Sequence, residues 1–117
     1  MTDGLPSDVA DVLGVLLDGD DPVRVALRAQ IPHLSVSGRC TCGCGTACFD
    51  LDTATVRPAP PTPDVIVADA QILLKNGDCP GEVLVFAEGG YLSSLEVCSW
   101  SDTTEVTLGL ARRRLCG

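Results

Sequence analysis

Two apolar stretches flank the dipeptide Gly89-Gly90, and this arrangement limits the fold more than any other feature of the chain. Residues 82–88 and 91–97 are rich in valine and leucine, and such residues favour strands. Two consecutive glycines supply the positive φ angles that a two-residue hairpin loop requires. The sequence therefore predicts an antiparallel hairpin with Glu88 opposite Tyr91, Phe86 opposite Ser93 and Leu84 opposite Leu95.

The predicted hairpin has apolar residues on both faces. In that register one face carries Leu84, Phe86, Leu95 and Val97, and the other carries Val83, Val85, Ala87 and Leu92. We therefore expect helices to cover one face, with a dimer contact or the C-terminal segment over part of the other.

Two helices are predicted before the sheet. Residues 7–18 place valine and leucine at helical spacing, with Ser7 as the expected N-cap. A second helix follows, with Asp21 as its cap and Pro22 at its first position, and it ends before Pro32. The short link between them predicts a helical hairpin over residues 7–30.

Beyond Pro32 the apolar residues recur every second position, which indicates strands. We expect one strand over residues 33–39 with Leu34, Val36 and Gly38 on one face. A returning strand with Ala47, Phe49 and Leu51 facing inward follows, and then a third strand over residues 64–74. Residues 58–64 form a proline-rich connection, and residues 101–117 fit a strand or a short helix equally well.

These elements predict a single α+β domain over residues 1–117. Its N-terminal helical hairpin (7–30) packs on an antiparallel sheet of four or five strands within residues 33–100, and residues 101–117 are left without an assigned structure. A chain of 117 residues is ordinary for one domain and short for two cores.

The net charge of the chain disfavours some classes of binding partner. Sixteen acidic and 8 basic residues give a formal net charge of −8, so the surface repels phosphate backbones and anionic lipid. We therefore expect no nucleic-acid or membrane partner. The acidic charge either serves solubility alone or attracts a basic protein. The N-terminal residues lack a signal-peptide pattern, which favours a cytoplasmic location.

Four cysteines within nine residues form the one pattern that suggests chemistry: Cys40, Cys42, Cys44 and Cys48. Thiolates bind Zn²⁺, and Gly43 and Gly45 allow the chain to turn within the cluster, which places it at the tip of a β-hairpin. His33 or Cys79 could complete an incomplete ligand set. The alternative is that these cysteines pack as small hydrophobic residues. In an exported protein, Cys79, Cys98 and Cys116 would instead be natural disulfide partners for the cluster.

Catalytic groups are sparse. His33 is the one histidine, and its position after Pro32 is typical of a strand entry rather than of a general base. No phosphate-binding loop, nucleotide fingerprint or nucleophile elbow occurs, and Glu96 fits a half-exposed strand position. The sequence thus favours a non-enzyme, with a thiol-dependent enzyme as the third alternative.

Two short motifs carry a family resemblance. They are Arg39-Cys-Thr-Cys-Gly-Cys44 and the later Gly90-Tyr-Leu-Ser-Ser-Leu-Glu-Val97. Both resemble motifs of small uncharacterised bacterial proteins, mainly from actinobacteria. The resemblance spans about residues 10–100 and implies a compact α+β cytosolic domain with no activity to carry over. Cys48 departs from the family, which commonly has the three-cysteine core alone.

The leading functional hypothesis is a small non-enzymatic interaction protein, of the immunity type or similar, whose partner is a basic protein. The alternative is a zinc-stabilised domain that uses Cys40, Cys42, Cys44 and Cys48. The sequence is also compatible with a homodimer.

Overall fold

A computed structural model of the protein describes residues 5–39, 46–100 and 106–116, and the side chains of all of these except residues 114–116. The described helices are α1 (Ser7–Leu16), α2 (Pro22–Gln30) and α3 (Leu108–Arg114), with a 3-10 turn at Ile31–His33. The described strands are β1 (Ser35–Arg39), β2 (Ala47–Asp50), β3 (Ile66–Ile72), β4 (Gly81–Glu88), β5 (Tyr91–Ser99) and the short β6 (Leu115–Cys116).

These strands form one sheet in the order β1-β2-β5-β4-β3-β6, and every neighbouring pair is antiparallel. The predicted α+β class, with an N-terminal helical hairpin packed on an antiparallel sheet, is confirmed. The structure adds β6, which pairs with β3 at the edge of the sheet. In the C-terminal segment, for which a strand and a short helix fitted equally well, residues 108–114 form the helix α3. None of the described helices is long and apolar enough to cross a bilayer.

The two N-terminal helices begin in different ways. Asp21 caps α2 as predicted, because its carboxylate accepts a hydrogen bond from the Arg24 backbone N–H at 3.1 Å. The predicted cap at Ser7 is wrong: Ser7 is already helical, Pro6 occupies the cap position, and no side-chain cap bond forms.

Basic side chains fix the link between α1 and α2. The Arg28 guanidinium donates to the carbonyl oxygens of Leu17 at 2.9 Å and Gly19 at 2.8 Å. Arg24 donates to the Asp18 carbonyl oxygen at 3.0 Å. These bonds satisfy carbonyls that the end of α1 leaves without helical partners.

The β4–β5 hairpin has the predicted loop but a different register. Gly89 and Gly90 have φ of 60° and 88°, as a two-residue hairpin turn requires, and Glu88 faces Tyr91 as predicted. A bulge then inserts Ser93 as an extra residue, so that Phe86 faces Ser94 rather than Ser93. Likewise Leu84 faces Glu96, not Leu95.

The bulge changes which residues share a face. Leu92 and Leu95 both lie on the inner face with Val83 and Val85, and all four are buried. Strict alternation would have placed Leu92 and Leu95 on opposite faces. One extra residue therefore concentrates the apolar side chains of β5 under the helices.

Similar irregularities occur in β1 and β3. The register of β1 shifts between Val36 and Gly38, so these two residues do not share a face as predicted. The register of β3 shifts between Ile66 and Ala68, which leaves Ile66 42% exposed while Ala68 is buried. The inward side of β2 is confirmed, since Ala47 is buried and Phe49 packs against the core.

The core lies between the inner face of the sheet and the helices. Its largest fully buried members are aliphatic and come from both layers: Leu13, Leu17, Leu27, Leu34, Ile72 and Leu95. Arg112 of α3 forms an ion pair with Asp11 of α1, and Arg39 of β1 lies 3.9 Å from Asp8 of α1. Such exposed pairs contribute little to stability, so apolar burial between the layers dominates.

Gln30, the last residue of α2, is the one buried polar side chain among the described residues. Its Nε2 donates to the carbonyl oxygens of Arg57 at 3.1 Å and Gly90 at 2.9 Å. Its Oε1 accepts from the Leu92 backbone N–H at 2.9 Å. One amide therefore joins α2, the connection after β2 and the β4–β5 hairpin.

We expect Gln30→Leu to destabilise the fold by about 2–4 kcal/mol, because it leaves the buried Leu92 N–H without a partner and removes the two bonds to the Arg57 and Gly90 carbonyl oxygens. Denaturant unfolding measures this loss. Gln71→Leu, at an exposed position of β3, makes the same chemical change and should alter the free energy of unfolding by less than about 0.5 kcal/mol. Equal losses in the two variants would contradict the role assigned to Gln30.

Candidate functional site

The outer face of the sheet carries a cluster of carboxylates. We call this surface the open face, and define it by the outward residues of β2–β5: Cys48, Asp50, Ile66, Asp69, Gln71, Glu82, Leu84, Phe86, Ser94, Glu96 and Cys98. Four of these are acidic and none is basic. The buried helical residues join the core on the other face, so within the described residues the helices do not cover this one.

Leu84 lies at the centre of the open face, and acidic residues surround it. The strand register puts Asp69 of β3 directly opposite it on one side and Glu96 of β5 opposite it on the other. Glu82 precedes it by two positions on β4, on the same face. Neighbouring strands are about 4.8 Å apart, so the three carboxylates lie within roughly 10 Å of Leu84. A negative potential therefore surrounds an apolar centre.

An apolar strip continues along β4 from Leu84. Phe86 follows on the same face and is half-buried, and the register puts Ile66 directly opposite it on β3. Ser94 faces Phe86 from β5, and Cys48 of β2 faces Ser94. The open face is therefore a mixed surface, with apolar contacts in the middle and carboxylates toward one end.

The basic side chains lie elsewhere. Strands β2–β5, which are described in full, contain no lysine or arginine. The ion pairs between described side chains join Arg24 with Asp21, Arg28 with Asp18, Arg39 with Asp8, and Arg112 with Asp11. None of them involves a carboxylate of the open face. Among the described side chains, the ion-paired arginines therefore contact the helices and the link between them, and the carboxylates of the open face take part in none of these pairs.

The cysteine cluster is described only in part. Cys40, Cys42 and Cys44 lie outside the described residues, whereas Cys48 is exposed on β2 as a free thiol. The pairing of β1 with β2 confirms the hairpin that connects them, with Arg39 opposite Ala47. The prediction that the cluster forms the tip of this hairpin concerns residues that the structure does not describe.

The other candidate ligands do not form a metal-binding arrangement in the described part of the chain. Among those residues, no group of three or more His, Cys, Asp or Glu side chains could hold a metal ion. His33 is exposed on the 3-10 turn, and the half-buried Cys79 thiol lies 3.4 Å from the Gly81 carbonyl oxygen. Cys79 is a free thiol. Zinc therefore stays a prediction about Cys40, Cys42, Cys44 and Cys48.

Sequence reasoning considered Glu96 alone and missed Asp69 and Glu82. The signal was present in the composition of the predicted strands over residues 64–74, 82–88 and 91–97, which contain carboxylates but no lysine or arginine. What the sequence could not supply was the position of the bulge in β5, which brings Glu96 opposite Leu84. In the predicted register Leu95 would have occupied that position.

No protein-family model, curated protein or solved structure matches this chain.

If the cysteine cluster binds zinc, freshly purified protein should contain about one equivalent of the metal and its melting temperature should fall after chelation. Cys48→Ser tests the fourth ligand, and Ser94→Ala, at the position opposite Cys48 on β5, is the control, which should keep its zinc. Less than about a tenth of an equivalent, with melting unchanged by chelation, would contradict a zinc site.

Proposed function

We propose that this chain is a non-enzymatic binding domain that recognises a basic protein through the open face of its sheet. The single observation that carries the proposal is the separation of charge among the described side chains: strands β2–β5 contain no lysine or arginine, and the carboxylates around Leu84 take part in none of the ion pairs. A partner that presents lysines or arginines there gains attraction that no ion pair between described side chains already satisfies.

The layout of the open face suits recognition rather than general repulsion. Protein interfaces combine a contact centre that excludes water with a polar rim. Here Leu84, Phe86 and Ile66 supply apolar contact, and Asp69, Glu82 and Glu96 supply charge beside it. The apolar strip would favour affinity, and the carboxylates would speed the encounter and reject acidic partners.

The same charges argue against other occupants. A second copy of the chain bound face to face would bring two sets of carboxylates together, and like charges in contact cost several kcal/mol. Nucleic acid and anionic lipid are repelled for the same reason. A homodimer remains compatible with the chain only through another surface.

An immunity-type role is one form of this proposal. In that role the partner is a basic enzyme, and the acidic domain inhibits it by covering its active surface. The role needs no catalytic group in the binding domain, which agrees with the sparse catalytic residues of the sequence. The thiol-dependent enzyme stays a prediction that no described contact favours.

We expect E82K/E96K to weaken binding of the natural partner by about a hundredfold, because two attractive contacts become repulsive. The partner is first captured from a lysate of the source organism on immobilised protein and then purified. Calorimetry then gives its Kd for the wild-type chain and each variant. The apolar centre is tested in the same way with Leu84→Lys.

The matched control is D18K/D20K, which changes the net charge by the same amount on the exposed link between α1 and α2. Asp18 is 90% exposed and lies 4.0 Å from Arg28, so that pair contributes little stability. We expect this control to bind within about threefold of wild type. The proposal would be contradicted if the two double variants weakened binding equally. It would also be contradicted if every captured protein bound both double variants with the same affinity.

A further inference from the structure

A cleft of about 660 Å³ lies at the end of the sheet that contains the β4–β5 turn. Its walls come from α2, the proline-rich connection at residues 58–65, the start of β3 and the β4–β5 turn. This volume is within the range of sites that hold small organic ligands. The cleft is separate from the acidic centre of the open face around Leu84.

The walls of the cleft are mainly apolar. Val23 and Leu27 of α2 form one side, and Val67 and Ala87 come from the sheet. The lining also includes Pro60, Pro61, Pro63 and Val65, and Val65 is 55% exposed. An apolar body can therefore replace water along most of this surface.

The proline-rich wall of the cleft offers few hydrogen-bond donors. Four of the six residues from 58 to 63 are proline, and proline has no backbone N–H. The Ala59 N–H in the same segment is used, because it donates to the Gly90 carbonyl oxygen at 2.8 Å. The Thr62 hydroxyl donates to the Asp64 carbonyl oxygen at 2.7 Å. The proline-rich wall therefore has few free donors for a ligand.

Two carboxylates complete the lining, those of Asp64 and Glu88, and the described lining contains no lysine, arginine or histidine. Both residues are exposed, and neither takes part in an ion pair between described residues. Charge complementarity therefore favours a cation, and the shortage of free donors favours a ligand that brings its own N–H groups.

The shape of the cleft is fixed before any ligand binds. Gln30 joins Arg57 and Gly90 from beneath, and Gly90 packs so closely on the connection that a Cβ there would lie 2.7 Å from the Ala59 carbonyl oxygen. The Ala87 N–H donates to the Val65 carbonyl oxygen at 2.8 Å. Prolines add stiffness, so binding would cost little ordering of the wall.

We propose that this cleft binds a small organic cation, an ammonium or amidinium group on an apolar body. The apolar body contacts Val23, Leu27 and the proline wall, and the cationic group lies at Asp64 and Glu88. No covalent or redox step is involved.

The test uses three probes with the same apolar body and different charge: 2-naphthylmethylammonium, 2-naphthylmethanol and 2-naphthoate. Titrations followed by NMR of isotope-labelled full-length protein give a Kd for each probe and the residues that it affects. We expect the ammonium to bind about fivefold more tightly than the neutral alcohol, and the carboxylate more weakly than both. The shifts should concentrate at Val23, Leu27, Val65, Val67 and residues 87–90.

The variant D64N/E88Q removes both charges with little change in shape. It should bind the ammonium only as tightly as it binds the alcohol, with the affinity for the alcohol unchanged, and its melting temperature reports that the fold is kept. D18N/D20N is the matched control and should keep the wild-type preference. An equal or greater affinity for 2-naphthoate, shifts centred on other residues, or no saturable binding below about 10 mM would overturn the proposal.

The cleft and the open face are distinguishable in these measurements. E82K/E96K should lose the basic protein partner but keep the affinity for 2-naphthylmethylammonium within about twofold, because its substitutions lie outside the cleft lining. D64N/E88Q should show the opposite pattern. Parallel loss of both activities in either variant would contradict two separate sites.

Discussion

The hydrogen bonds of the Gln30 side chain connect parts of the chain that are far apart in sequence. Its amide contacts backbone groups at Arg57, Gly90 and Leu92, and no side chain is needed on the other side of these bonds. Buried polar groups persist in a core only when such partners are present. This amide holds the proline-rich connection against the β4–β5 turn together with the bonds from Ala59 N–H to the Gly90 carbonyl oxygen and from Ala87 N–H to the Val65 carbonyl oxygen.

The two proposed surfaces result from the way apolar and charged side chains are distributed between the two faces of the sheet. The bulge at Ser93 brings Leu92 and Leu95 together under the helices, which leaves Ser94, Glu96 and Cys98 for the outer face. The inner face can then collect the apolar residues of β4 and β5, and the outer face can carry carboxylates without burying them. Arg28, Arg39 and Arg112 bind groups of the helices and of the α1–α2 link, and no described ion pair involves a carboxylate of the outer face.

Local patterns were sufficient to predict the helical hairpin, the glycine turn between β4 and β5, and the α+β class. Asp21, Pro22, Gly89 and Gly90 act through their own backbone geometry, so the sequence around them is informative. The bulges in β1, β3 and β5 depend on packing between elements, and the burial of Gln30 depends on backbone groups 27 to 62 residues away along the chain. A pattern of hydrophobic residues shows neither the bulges nor the burial of Gln30. Asp69 and Glu82 of the candidate site were missed for the same reason, because their proximity also depends on packing between elements.

The central claim is that the open face, rather than the helical side, contacts the partner. Methyl NMR with a soluble paramagnetic agent tests it directly, since exposed hydrophobic residues exist on both sides of the molecule. Ile66 on the sheet is 42% exposed, and Val15 and Val25 on the helices are 47% and 45% exposed. In the complex with the captured basic protein, we expect the methyl groups of Ile66 and Leu84 to become protected from the agent while those of Val15 and Val25 remain accessible. Protection of Val15 and Val25 with Ile66 and Leu84 unchanged would contradict the account.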